Sequence, residues 1–273
     1  MTILELLVVV TALTILMSLL LPAVEGAREA ARNTRCINNL HQIADALHVF
    51  HDTYLALPAG WQPEASGDSS YAWAAAILRE LEEKRLYSRI DRSRPITSVT
   101  EVVRSKTPDV YLCPSDAGEP IFPLFAEIGS HGEHAQESEQ VLVTLPRANY
   151  VGVFGSMDPD DVAGDSGDGM FVERKAYRFA DVTRGLSHVA LVGERTARKL
   201  PSTWLGIATK GEDAHGRVVG YANLGPNRSD ADECEFDSRH PGHVNFAWCD
   251  GHVDSVADGV DAAAYRCMVQ RRY

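Results

Sequence analysis

The sequence predicts an α+β fold in which one long N-terminal helix packs on an antiparallel β-sheet. Three observations predict it. Leu6 to Val24 is a run of 19 residues without a charge, an apolar stripe continues at helical spacing as far as Phe50, and several short β-rich runs end in a strong hairpin signal at Asp250-Gly251. They divide the chain into a membrane-crossing segment at 1–25, an amphipathic continuation at 26–57 and a globular α+β domain at 58–273.

As a helix the uncharged run covers roughly 28 Å, close to the hydrocarbon thickness of a bilayer. Glu5 stands near its start, and a carboxylate at that depth costs on the order of a few kcal/mol unless paired. The expected partner is an α-amino group, either that of Met1 or that of the corresponding residue in a neighbouring subunit. Past Pro22 the helix continues with Ala27, Ala30, Ile37, Leu40, Ile43, Ala44, Leu47 and Phe50 on one face and Arg28, Arg32, Asn38, Gln42 and Asp45 on the other. It should end near Leu57-Pro58-Ala59-Gly60.

A second helix is expected from about Tyr71 to Ile90, with Trp73, Ile77, Leu78, Leu81, Leu86 and Ile90 buried. Val110–Cys113 reads as a short buried strand, and residues 117–140, which hold His131 and His134, as a surface insertion. Strand signals resume at Val141–Leu145, Asn149–Gly155, Met170–Val172, Tyr177–Phe179 and Val189–Val192. In the last stretch, Asp250-Gly251 predicts a two-residue turn between Val244–Cys249 and His252–Val256. That register pairs Cys249 with His252 and Trp248 with Val253, and leaves Val244, Phe246, Trp248 and Val253 on one apolar face.

Composition narrows the function. A net charge of −12 without a gathered basic face argues against nucleic acid as a partner. Five cysteines, Cys36, Cys113, Cys234, Cys249 and Cys267, allow up to two disulfides outside the cytoplasm, and their pairing is open. No CxxC pair predicts a thiolate zinc site. His41, His48 and His51 read as solvated or interfacial groups. His240, His243, Cys249, Asp250 and His252 are dense enough for a zinc site to be weighed, although the turn accounts for Asp250 and loop bracing for His240. No GxSxG elbow supports a Ser/His/Asp hydrolase. Asp158, Asp160, Asp161, Asp165 and Asp168, interleaved with Gly164, Gly167 and Gly169, supply the hard oxygen ligands that Ca²⁺ prefers, though not at EF-hand spacing.

The N-terminal segment resembles that of type IV pilins and the pseudopilins of type II secretion. Met1, Thr2, Ile3, Leu4 and Glu5 lie where that family has its first mature residues, with Glu5 at its acidic position and Pro22 at its helix kink. Arg28, Arg32 and Arg35 would by themselves draw the following domain into the cytoplasm, which a basic leader before Met1 would reverse. The expected start is therefore internal to a longer reading frame, with Met1 at or beside the processing point. A secretory signal peptide fits less well, because the apolar run is long and a positive n-region is missing.

Further segments resemble a bacterial family of prepilin-like proteins of unknown activity. They are REAARNTRCINNLHQIADALHVFHD, YLCPSD, NYVGVFG, GMFVERKAYRFADVTRGLSHVALVGE and His240 followed after nine residues by Asp250-Gly251. Arg184 and His188 depart from the Asp and Asn usual there. The resemblance implies a non-enzymatic pseudopilin-like subunit in the bacterial inner membrane, with its C-terminal domain outside the cytoplasm. Its partners would be other pilin-like subunits, reached through the N-terminal helix, together with prepilin peptidase and the lipid bilayer. Glu5 would neutralise a neighbour's N-terminus, Thr2 would lie beside it and Pro22 would set the bend. Major pseudopilins also use a calcium-bound loop, which adds to the reading of the acidic run. The alternative is a tethered binding or metal-dependent enzymatic domain that keeps the helix only as an anchor.

Overall fold

In the computed structural model, which describes residues 2–128 and 136–273, the chain begins with helix α1, Ile3–Tyr54. Met1, His131 and His134 lie outside the described residues. A capping box starts the helix: the Glu5 N–H donates to the Thr2 hydroxyl at 3.3 Å and the Thr2 N–H donates to the Glu5 carboxylate at 2.8 Å. The helix passes through Pro22 and stops at Leu55, whose φ of 60° is left-handed. Residues 2–28 are all exposed, whereas Cys36, Leu40, Ile43, Ala44, Ala46 and Leu47 are buried. The stripe therefore meets the domain only from Cys36 onward, and Ala27 and Ala30, expected on its inner face, remain exposed.

After α1 come β1 (Trp61–Pro63), β2 (Ser69–Ala72) and three single turns of helix, α2 (Trp73–Ala76), α3 (Lys84–Tyr87) and α4 (Glu101–Arg104). The hairpin β3 (Ile121–Ile128) and β4 (Gln136–Ala148) leads to β5 (Tyr150–Gly155) and β6 (Ala190–Glu194). The remainder is β7 (Ser202–Thr203), β8 (Gly206–Ala208), β9 (Val219–Tyr221), β10 (His243–Trp248), β11 (Val253–Ala257) and α5 (Ala262–Cys267). They form a five-stranded sheet in the order β11-β10-β6-β5-β9 and two three-stranded sheets, β1-β2-β8 and β3-β4-β7. All pairs are antiparallel except β5 with β9, so the main sheet is mixed.

Several expectations are corrected. The helix expected over Tyr71–Ile90 does not form, because β2 occupies its start and Glu82, at φ 64°, takes a left-handed conformation that ends helices. Its apolar positions are nonetheless inside: Trp73, Ile77, Leu78, Leu86 and Ile90 are all buried. Asp109–Tyr111 is a 3₁₀ turn where a strand was expected. Within the stretch expected as a surface insertion, Ile121–Ile128 forms β3 and residues 136–140 open β4, and the ladder between them slips at Leu124/Phe125 and so hides its alternation. Phe171 and Glu173 make isolated bridges, and Phe179 opens a 3₁₀ turn.

The β10–β11 hairpin is present with its register moved by one residue. Ala247 faces Val253 and Val244 faces Val256. The Trp248 N–H donates to the His252 carbonyl and the Gly251 N–H to the Trp248 carbonyl, with Gly251 at φ 92°. This is a three-residue loop in which Gly251 takes the left-handed position, where a two-residue turn was expected. The shift sends Val253 to the opposite face from Val244 and Phe246. On one face of the main sheet α1 packs over β6, β10 and β11, with Ala247, Cys249 and Val253 in its core. On the other face Val244 and Phe246 pack with Tyr265, Met268 and Val269 around α5.

Candidate functional site

The sequence segments singled out above converge where the outer half of α1 meets the main sheet. Cys36 of α1 is bonded to Cys113, 77 residues away, by the one disulfide among the described residues. The Asp116 N–H closes a turn onto the Cys113 carbonyl, which folds Cys-Pro-Ser-Asp around the link between β4 and β5. Asn149 in that link is buried and fully used. Its Oδ1 accepts from the Cys113 N–H at 3.0 Å, and its Nδ2 donates to Asp116 at 2.8 Å and to the Arg195 carbonyl at 3.1 Å. Asp116, buried as well, accepts from the Ala197 N–H at 2.9 Å and Arg239 Nε at 3.0 Å, and faces Arg147 Nη1 at 3.5 Å.

Glu194 ends β6 and enters the same region. Its carboxylate accepts from the Asn245 N–H at 2.9 Å and from Asn245 Nδ2 at 3.2 Å. His240 is placed by the Ser238 hydroxyl, which accepts its N–H at 2.9 Å, and by the turn through Pro241 and Gly242, at φ 83°. Its ring, wholly buried, lies between two carboxylates: Nδ1 is 2.6 Å from Glu29 of α1, and Nε2 is 3.5 Å from Glu194 and 3.5 Å from Cys113 Sγ. Burial opposes a charge on His240, but the Glu194 and Glu29 carboxylates outweigh it and raise its pKa above the ordinary histidine value. Burial also works against Glu29, yet hydrogen bonds from His240, Arg32 and Ser115 hold its carboxyl below the ordinary range.

Asp250 and Gly251 sit elsewhere, at the hairpin tip. Asp250 Oδ1 is 2.5 Å from His252 Nδ1, the His252 ring stacks on Trp248, and Gly251 lies against His48 of α1, where an added Cβ would come within 3.4 Å of its ring. The weighed zinc set of His240, His243, Cys249 and His252 is thus split, though the His240 and His243 rings stack at 5.7 Å. His48 and His51 both pack against Phe179.

The acidic run divides too. Asp158 accepts the Asp160 N–H at 3.0 Å, and Asp160 accepts from Cys234 Sγ at 3.3 Å and faces His215 at 3.6 Å. Burial, with Asp232, Asp160 and Asp161 adding, pushes the Asp158 carboxyl up to about 7. Asp213 is pushed up to about 6 by burial and by Asp160 and Glu233. Asp161 is exposed, Asp165 pairs with Lys175 at 3.0 Å, and Asp168 accepts from the Ser156 N–H and hydroxyl and from Gln270. Among the described residues two groups have metal-ligand geometry, Cys36/Cys113/Glu194/His240 and Asp158/Asp160/Cys234.

At the other end of the chain, the Glu5 carboxylate accepts from the Thr2 N–H, an arrangement that Thr-x-x-Glu could have announced. Glu29, Asp116, Asn149 and Glu194 were not among the expected site residues. The signal for all four was their place in the resembling segments, Glu29 being the second residue of REAARNTRCINNLHQIADALHVFHD.

Residues 25–263 match a family described as "Protein of unknown function (DUF1559)". No curated protein matches the chain, and no solved structure does.

Proposed function

The chain belongs to that family of unknown function, and from this premise we propose that it is a non-enzymatic, pseudopilin-like subunit, anchored by α1 and assembled with other pilin-like subunits through that helix. The observation that carries the reading is the contrast along α1: residues 2–28 bury nothing within the chain, and one helix is long and apolar enough to cross a membrane. Such a surface calls for lipid or neighbouring helices. Prepilin peptidase would create the mature start near Met1, and Glu5 and Thr2 at the tip would meet a neighbour's N-terminus, with Pro22 setting the bend.

The Cys36–Cys113 disulfide supports a domain held in an oxidising compartment, outside the cytoplasm and anchored in the bacterial inner membrane. A calcium ion at Asp158 and Asp160 remains part of the proposal, since the raised Asp158 carboxyl is the kind of group a cation would relieve.

A second reading, a tethered binding domain, is favoured by a cavity of about 250 Å³ beside Asp116 that Arg147, Arg198 and Arg239 line. Replacing Glu5 by Ala separates the two. Cross-linking in native membranes should lose multimers of the Glu5→Ala chain if assembly is the function, while unchanged multimers would sink that role for Glu5. Mass spectrometry of the mature N-terminus, with an N-methylated first residue expected, tests the processing step independently.

A further inference from the structure

Within the buried site at the α1–sheet junction, the ligand atoms of Cys36, Cys113, Glu194 and His240 all lie within 4.8 Å of one another, and all four residues are buried. We propose that when the Cys36–Cys113 disulfide is reduced, these four side chains bind one zinc-like divalent cation in a closed site. The donor set of two sulfurs, one imidazole nitrogen and one carboxylate oxygen suits zinc and disfavours calcium or magnesium.

The surroundings are those of a metal site. His240 Nδ1 is 2.6 Å from the Glu29 carboxylate, the carboxylate–histidine arrangement that fixes ring orientation and leaves Nε2 to the metal. Nε2 faces Cys113 Sγ and Glu194 Oε1, each at 3.5 Å. Glu194 is aimed in turn by Asn245, whose N–H holds Oε2 at 2.9 Å. Glu29 is itself held by Arg32 and Ser115. The ligands come from α1, from the Cys-Pro-Ser-Asp turn, from the end of β6 and from the loop before β10, so a cation would join the same elements that the disulfide joins.

The chemistry balances with a dithiol as reductant. Its two thiols become a disulfide as the Cys36–Cys113 bond breaks, taking up two electrons and two protons. The cation then forms bonds to both Sγ atoms, to Nε2 and to Oε1, and releases the two thiol protons and any proton on Nε2.

The test uses the full chain in detergent micelles, reduced anaerobically with dithiothreitol, desalted, and titrated with Zn²⁺, with Co²⁺ as a spectroscopic probe. One zinc per reduced chain, none per oxidised chain, and a thiolate-to-cobalt charge-transfer band are expected. Cys36→Ser should abolish binding and Cys249→Ser leave it unchanged. Glu29→Gln should weaken binding about 10- to 100-fold while keeping all four ligands. Circular dichroism follows the fold of each form. A reduced chain that binds no zinc, whether folded or left unfolded after zinc is added, overturns the proposal. So does binding that survives Cys36→Ser, or equal binding by the oxidised chain.

Discussion

Two polar clusters in this domain treat their carboxylates in opposite ways. Around His240 every carboxylate has donors: Asp116 faces two arginines, Asn149 and an amide, Glu194 is held by Asn245, and Glu29 by His240, Arg32 and Ser115. Around Asp158 the neighbours are mostly further carboxylates, and the Asp158 carboxyl rises to about 7. The first cluster stabilises the fold by pairing, whereas the second costs stability whenever it is fully ionised. A net charge of −12 says nothing about this division; position does.

Asp116→Ala should break the contrast most severely. It strands the Arg147 guanidinium, buried and with Nε already without a partner, and should destabilise by about 3–5 kcal/mol. Urea denaturation of the full chain in micelles would read this as a lowered midpoint, and a change below 1 kcal/mol would mean that the cluster contributes little.

Asp158→Asn should act with the opposite sign. A carboxyl with a raised folded pKa binds its proton more tightly in the folded state, so folding is penalised as pH climbs from the ordinary carboxylate range to about 7. The substitution should stabilise by on the order of 1 kcal/mol at pH 8, after allowance for its partial exposure, and by nothing at pH 4. A stabilisation independent of pH would rule out the ionised carboxyl as its source.

The smallest effect belongs to His240. Its folded pKa is raised, so its contribution is complete below about 6.5, the unfolded value, and is lost as pH rises through the folded one. His240→Gln should flatten the fall in denaturation midpoint between pH 6 and pH 9, and a slope identical to that of the parent chain would remove His240 from the account.

How far the sequence could be read depended on how local the cause was. The helical stripe from Cys36 to Leu47, the strands at Val141–Leu145, Asn149–Gly155 and Val189–Val192, and the Asp250-Gly251 hairpin all follow from spacing within a few residues. The stretch Tyr71–Ile90 misled because Trp73, Ile77 and Leu78 are buried at helical intervals by a succession of turns, and nothing nearby announces the left-handed Glu82. The hairpin register failed by one residue because Gly251 alone, and not Asp250 with it, takes the positive φ. The buried cluster was beyond reach in principle. Glu29 and His240 are 211 residues apart, and their meeting depends on where α1 lies across the sheet. The resembling segments gave the participants in order without giving their encounter.

The disulfide at Cys36 has a mechanical consequence. Helix α1 is a rod of 52 residues, about 78 Å long, held by the domain over about the outer half of its length, from Glu29 onward. Any tug delivered along the free portion reaches the domain first at Glu29 and Cys36, as shear across the seam. Hydrogen bonds loaded in that direction would yield one after another, while a covalent link near the leading edge passes the load straight into the Cys113 turn and, through Asn149, into the main sheet. The domain would then follow the rod as one body, without peeling away from it.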